Sequence, residues 1–240
     1  MDSVDDVRNW GLAAAAALDE PTRRRVYDHV CRQARPMSRD EAAAALQLPR
    51  STAAFHLEQL ARVGLLDVVY QRLSGRAGPG AGRPSKLYHR SQRQVAVSVP
   101  ERRYELAGRL LAAAVAEAEA TGEPPRAALT RHARELGRQL GEAASAGHDP
   151  AAGRDAALRT LEEHGFEPRA DDAGVVLRNC PFHALARQHP ELVCGMNLCL
   201  LDGLLDALPA TGLSARLEPA PGACCVRLRP DVVTEAPQCT

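Results

Sequence analysis

The apolar positions of "LPRSTAAFHLEQLARVGLL", Leu48 to Leu66, recur at helical spacing and organise the first third of the chain. At about 100° per residue, Ala53, Leu57, Leu60 and Gly64 share one face. Ser51, Phe55, Glu58, Gln59 and Arg62 fall on the opposite face. Pro49 suits the first turn of such a helix and Gly64 suits its C-terminal cap. Upstream, "MSRDEAAAALQL" places Glu41 three residues after Ser38, which predicts a capping box opening a short alanine-rich helix. The two helices meet at "QLPR" and form a helix-turn-helix pair. Before them, "LDEPTRRRVYDHVCRQ" predicts a longer supporting helix with Leu18, Val26 and Val30 inward. After Gly64 the period changes. "LLDVVYQRL" is β-branched and apolar, "SGRAGPGAGRPS" is a turn-rich basic loop, and "KLYHR" returns as a strand, so a β-hairpin wing is expected.

The rest of the chain alternates between the two periods. "VPERRYELAGRLLAAAVAEAEATGEPP" predicts a helix from Glu101 to Thr121, closed by Gly122 and the Pro124–Pro125 stop. Tyr104, Ala107, Leu111, Ala114 and Ala118 form a seam that would pair with its copy in a second subunit, or pack in this chain's own second domain. Duplex recognition favours pairing, because dimers set two recognition helices about 34 Å apart on DNA. "PRAALTRHARELGRQLGEAA" predicts a helix buried along Leu129, Ala133, Leu136 and Leu140. In "DPAAGRDAALRTLEEHG", Asp149 is the expected N-cap, Pro150 the first helical residue and Gly165 the end. His132, His148 and His164 read as solvent-facing or capping residues. "FEPRADDAGVVLR" predicts a hairpin turning at Asp171–Gly174, and Pro181 then opens a helix that places Cys180 at its N-cap. A helix over Glu191–Leu208 and a second hairpin, "LSARLEPAPGACCVRLRP", complete the chain. The expected fold class is mainly α with an α+β C-terminal part. Its domains are a winged helix-turn-helix over 1–95, a dimerisation or linker helix over 96–125, and a cysteine-containing sensor over 126–240.

Charge sharpens the first half of this picture. The 240 residues carry 30 basic and 30 acidic side chains, but unevenly. Residues 1–95 hold 15 Arg/Lys against 10 Asp/Glu, and residues 96–240 hold 15 against 20. Six basic residues and no acidic one lie between Val68 and Arg93, an electrostatic footprint for a polyanion. "MDSVDDVRNW" has neither a basic n-region nor an apolar h-region, and no apolar run is long enough to span a bilayer, so a cytoplasmic protein without membrane contact is expected. No nucleophile elbow, Walker loop or dinucleotide fingerprint is present, so we expect no enzyme.

The order helix, helix-turn-helix, wing resembles the ArsR/DeoR-like winged-helix regulators over about residues 12–95. The "ST-x-x-x-H-L-x-x-L-x-x-x-G-L-L" run at Ser51–Leu66 is its most specific element. The resemblance implies that the second helix of the pair enters the major groove of an operator duplex while the wing tip touches the flanking minor groove. Ser51, Thr52 and Gln59 would then face base edges or phosphates, and Arg50, Arg72, Arg76, Arg83 and Lys86 would serve the backbone and the groove. His56, at the margin of the apolar face, is either a packed histidine or a DNA contact. Phe55 either touches a thymine methyl or packs under the wing, and Glu58 would repel phosphate.

Seven cysteines, an odd number in a reducing compartment, argue against a disulfide framework and leave metal or redox chemistry open. A thiolate at Cys180 would be favoured by the expected helix N-terminus. Cys194 shares its helical face with Asn197, Leu198 and Leu201, whereas Cys199 lies about 140° away. In a strand Cys224 alternates with Cys225, so only one of them would point at a given centre. Cys31 and Cys239 read as incidental. Position therefore favours Cys180, Cys194 and Cys224 as ligands, with Cys225, His183 or another group as a fourth. The Cys180-x-x-His183 pair keeps zinc open, soft thiolates suit an iron–sulfur cluster, and isolated thiols also simply pack.

The "NCPFHALA…ELVCGMN…GLL…PGACCVRL" pattern behind a winged helix resembles the SufR-type iron–sulfur regulators. That resemblance implies a homodimeric repressor of cluster-assembly genes. It also implies a cluster, [4Fe–4S] rather than [2Fe–2S], on Cys180, Cys194 and the Cys224–Cys225 pair. The alternatives are a winged-helix regulator sensing zinc or thiol oxidation, and a cysteine- or cluster-dependent redox enzyme with a DNA-binding appendage.

Overall fold

The structure, a computed structural model, describes residues 4–72, 84–145 and 153–231. The chain divides into two compact units, Met1–Val97 and Ser98–Thr240. Each has its own apolar core.

In the first unit, α1 (Val4–Ala17) and α2 (Pro21–Cys31) precede β1 (Met37–Ser38), α3 (Arg39–Leu46) and α4 (Arg50–Arg62). The expected supporting helix is α2, which starts at Pro21 and leaves Leu18 outside it, and α1 before it was not expected; Glu20 caps α2 by accepting from the Thr22 and Arg23 amides at 2.9 and 2.6 Å. The capping box forms as read. Ser38 Oγ accepts from the Glu41 amide at 3.2 Å and Glu41 Oε2 accepts from the Ser38 amide at 2.7 Å. On α4 the buried face is Ala53, His56, Leu57 and Leu60, and Gly64 follows with φ +74°. β2 (Leu66–Gln71) and β3 (Ser85–Arg90) form the antiparallel wing, with β1 on the far edge of β3, an order of β1-β3-β2.

The second unit runs α5 (Tyr104–Thr121), α6 (Pro125–Ser145), α7 (Gly153–Glu163), β4 (Pro168–Asp171), β5 (Gly174–Leu177), α8 (His183–Gln188), α9 (Pro190–Asp206), β6 (Leu213–Leu217) and β7 (Val226–Pro230). α9 is apolar on most sides and sits in the core, as an all-round hydrophobic helix must. It packs closely on α6: a Cβ on Gly137 would come within 2.0 Å of the Leu200 carbonyl oxygen, and one on Gly203 within 2.1 Å of the Arg134 oxygen. The strands form one antiparallel sheet, β4-β5-β7-β6, whose inner face carries Val175, Leu177, Ala215, Val226 and Leu228. The first hairpin turns at Asp171–Gly174, as the sequence indicates.

Two expectations are corrected here. The seam on α5 is largely used inside the unit, because Ala107, Ala114 and Ala118 are buried in the packing of α5 on α6; only Tyr104 of that set is exposed. The open face of α5 is a different one, with Gly108, Ala112, Val115 and Ala116. Second, the helix after Cys180 begins at His183, not at Pro181, since Phe182 is drawn into the core edge-on to Phe166 at 6.4 Å. Asp149, Pro150 and His148 lie outside the described residues, as do Arg76, Arg83 and Cys239.

Candidate functional site

The outward face of α4 carries Ser51, Phe55, Glu58 and Arg62, with Thr52 and Gln59 half-buried beside them. Phe55 is 54 % exposed, unusual for a phenylalanine. Arg50 is exposed and ion-paired with Asp40 of α3, and Arg72 is exposed just past β2. His56 is 7 % exposed, with Nδ1 3.4 Å from Glu20 Oε2, so the structure makes it a packing residue of the inward face. Lys86 is also committed internally: Nζ donates to both Glu58 oxygens at 2.6 and 2.7 Å. Tyr88 Oη donates to the same carboxylate at 2.6 Å. Lys86 and Tyr88, in that order, hold the Glu58 pKa below its usual value. Glu58 is therefore a tie between α4 and β3.

In the second unit, four thiols from three places in the chain come together. Cys180 follows β5, Cys194 lies on α9, and Cys224–Cys225 directly precede β7. Cys180 lies beside Cys224, Cys224 beside Cys225, and Cys225 beside Cys194. Because Cys224 and Cys225 lie before the strand, strand alternation does not separate them, and both enter the network. Cys224 is 2 % exposed and Cys180 is also buried. The Cys180 thiol is pushed well up, first by its hydrogen bond with Cys224 and then by burial. Cys224 is pushed up to about 12: its hydrogen bond with Cys180 acts downward, but the bond with Cys225 and burial outweigh it. Burial raises Cys194 as well. The expected thiolate at a helix N-terminus is thus not found; α8 starts three residues after Cys180. Among the described residues, no three His, Cys, Asp or Glu side chains surround a common point as a formed metal site. His183 is exposed on α8 and Cys31 lies on α2 in the other unit; Cys199, buried in the core, is disulfide-bonded, which corrects the expectation of a chain without disulfides.

Two asparagines border the thiols. Asn197, 1 % exposed, donates Nδ2–H to Cys224 Sγ at 3.3 Å, while its Oδ1 has no partner among the described residues. Asn179, 5 % exposed, donates to the carbonyls of Glu101 at 3.0 Å and Gly165 at 2.5 Å. Its Oδ1 accepts from Arg102 Nη1, which also donates to the Cys180 carbonyl at 3.2 Å. Asn197 was legible as a neighbour of Cys194 on one helical face. Arg102 and Asn179 carry no such local signal, being far apart in sequence.

The chemistry of this set fits a thiolate-held group: four soft donors, two of them buried, with an amide N–H already directed at one sulfur. Residues 18–69 match a helix-turn-helix domain family of ArsR-like type. This supports a DNA-binding transcriptional regulator. No curated protein and no solved structure matches the chain. Among the described residues, no helix is long and apolar enough to cross a membrane.

Proposed function

We propose that the protein is a homodimeric transcriptional repressor whose operator binding is controlled by an iron–sulfur cluster on Cys180, Cys194, Cys224 and Cys225, and that its targets include cluster-assembly genes. The observation that carries this reading is the meeting of four thiols behind a helix-turn-helix unit. Four cysteines suit either a two-iron or a four-iron cluster, and the sequence resemblance favours the latter. When bound, such a group supplies a redox-active bridge among the thiolates, tuned by exposure and hydrogen bonding. The chain's own part is to release the four thiol protons, to hold Cys224 with the Asn197 amide, and to exclude water around Cys180 and Cys224. Pairing of two copies would use the open face of α5, where Gly108 and Ala112 allow close approach.

Cys180→Ser tests this directly. A serine oxygen is a harder ligand, so anaerobically reconstituted protein should lose its iron and sulfide, and operator affinity should fall by about tenfold or more, the size of a typical coupling between sites. A variant retaining both would overturn the proposal. The closeness of the thiols to one another favours one second reading, a thiol switch without metal. Peroxide would join two of them as a disulfide, itself being reduced to water. That reading requires peroxide to abolish DNA binding and chelators to leave it unchanged.

A further inference from the structure

The connection between the two units is very short. On the first unit's side, the Arg93 guanidinium lies over the Trp10 ring at 3.9 Å, Trp10 Nε1–H donates to the Val63 carbonyl at 2.6 Å, and Val95 packs on the first core. On the second unit's side, every residue from Glu101 to Tyr104 is tied to the segments around Cys180. The Glu101 carbonyl accepts from Asn179 Nδ2 at 3.0 Å, and Arg102 Nη1 bonds both Asn179 Oδ1 and the Cys180 carbonyl. The Arg103 amide donates to the Pro181 carbonyl at 3.0 Å, and its Nη2 to the Glu163 carbonyl at 2.7 Å. Tyr104 Oη accepts from the Ala184 amide at 3.4 Å. Between these two anchorages few residues remain, and Ser98 is itself held, its Oγ accepting from the Arg102 amide at 2.8 Å.

Apolar packing alone would not need this. The polar groups converge on one stretch, the backbone of Asn179–Pro181, and that stretch carries the Cys180 thiol of the network. A buried asparagine bridging two carbonyls and an arginine has two discrete conditions, fully bonded or broken, since leaving its groups unmet in the interior costs free energy. Any rearrangement of Cys180 must move the groups that hold Glu101–Tyr104. The covalent path from that stretch to the first unit runs through Ser98 to Val95.

We propose that Arg102 and Asn179 are positioning residues that couple the Cys180 loop to the inter-unit connector, so that the state of the thiol network sets the DNA affinity of the helix-turn-helix unit. This coupling rests on the regulatory reading given above, but it adds the residues that carry the signal. Arg102 is the one to alter, because it touches the Cys180 backbone without supplying a ligand. Its loss removes the bonds to Asn179 Oδ1 and the Cys180 carbonyl and leaves the thiols in place.

The test compares full-length wild type, Arg102→Ala, Arg102→Lys and Arg109→Ala. Arg109 is exposed on α5 and paired with Glu105, so its removal controls for lost charge. Each protein is assayed for iron and sulfide after anaerobic reconstitution. Its Kd is then measured, with and without the cluster, for a duplex selected from a random pool by the reconstituted wild type. We expect a wild-type Kd ratio of about tenfold or more, within the usual range of coupling between sites. Arg102→Ala should keep its iron and sulfide while the ratio falls below about threefold. Arg102→Lys, which keeps the charge and one donor nitrogen, should recover part of it, and Arg109→Ala should match wild type. A full ratio in Arg102→Ala overturns the proposal. So does loss of iron in that variant, which would make Arg102 a support of the ligand shell, and so does an equal loss of ratio in Arg109→Ala. A wild type that takes up no iron or sulfide ends the cluster reading alone. The same ratio is then taken between reduced and diamide-oxidised protein, and the same comparison among variants decides the coupling.

Discussion

Glu58 faces the side of α4 that would meet DNA, yet its carboxylate is already occupied by Lys86 and Tyr88 from β3. Its charge does not oppose a phosphate freely, and Lys86 does not offer one a free cation. Sequence periodicity placed Glu58 on the outward face correctly but could not show a partner 28 residues away. The same holds for His56: a wheel puts it at the margin, and only the neighbouring Glu20 and the α2 packing decide that it turns inward. Glu58→Gln therefore has a calculable effect. Removing the carboxylate's charge releases Lys86 toward the duplex, so log K against log salt should steepen by about one phosphate contact, with tighter binding at low salt. Anisotropy titrations over a range of salt concentrations read this slope. An unchanged slope would mean that Lys86 stays where it is, or that the wing strand lies away from the backbone.

At the level of elements, local signals were read well where the structure answers them locally. The Ser38–Glu41 capping box needs only four residues, and it forms. The Cys180 helix was misplaced because the Pro181 signal lost to the burial of Phe182, a tertiary effect. The α5 seam was ambiguous in principle, since a stripe of alanines looks the same whether α6 or a second copy covers it. The capping box also makes a pH prediction. The Ser38 amide, and then Arg35, hold the Glu41 carboxyl down from 4.5 to about 2. A depressed pKa in the folded state stabilises above the unfolded value, and the benefit is lost as pH falls through that interval. Between about pH 4.5 and about 2, wild type should thus lose more stability than Glu41→Gln, which cannot titrate there. Urea unfolding followed by far-UV circular dichroism at several pH values gives the difference. A constant difference across the interval would show that the cap does not form.

On the scale of the whole chain, the organisation rests on two cores that share no residue, one around Leu57, Leu60 and Leu66, the other around α9 and the inner face of the sheet. The boundary falls between Val97 and Ser98, and the helix over 104–121 packs in the second core. Separate cores imply separate cooperativity, since each unit loses its own buried surface when it opens. Calorimetry should then resolve two transitions. Whatever binds the thiols stabilises only the native form of the second unit, so loading with iron and sulfide should raise one transition and leave the other in place. Leu57→Ala, which empties part of the first core, should lower only the other, by the several kcal/mol usual for a buried leucine. If both treatments moved one shared transition, the units would unfold together. The short connector would then act as a rigid part of a single folding unit, and not as a link between two.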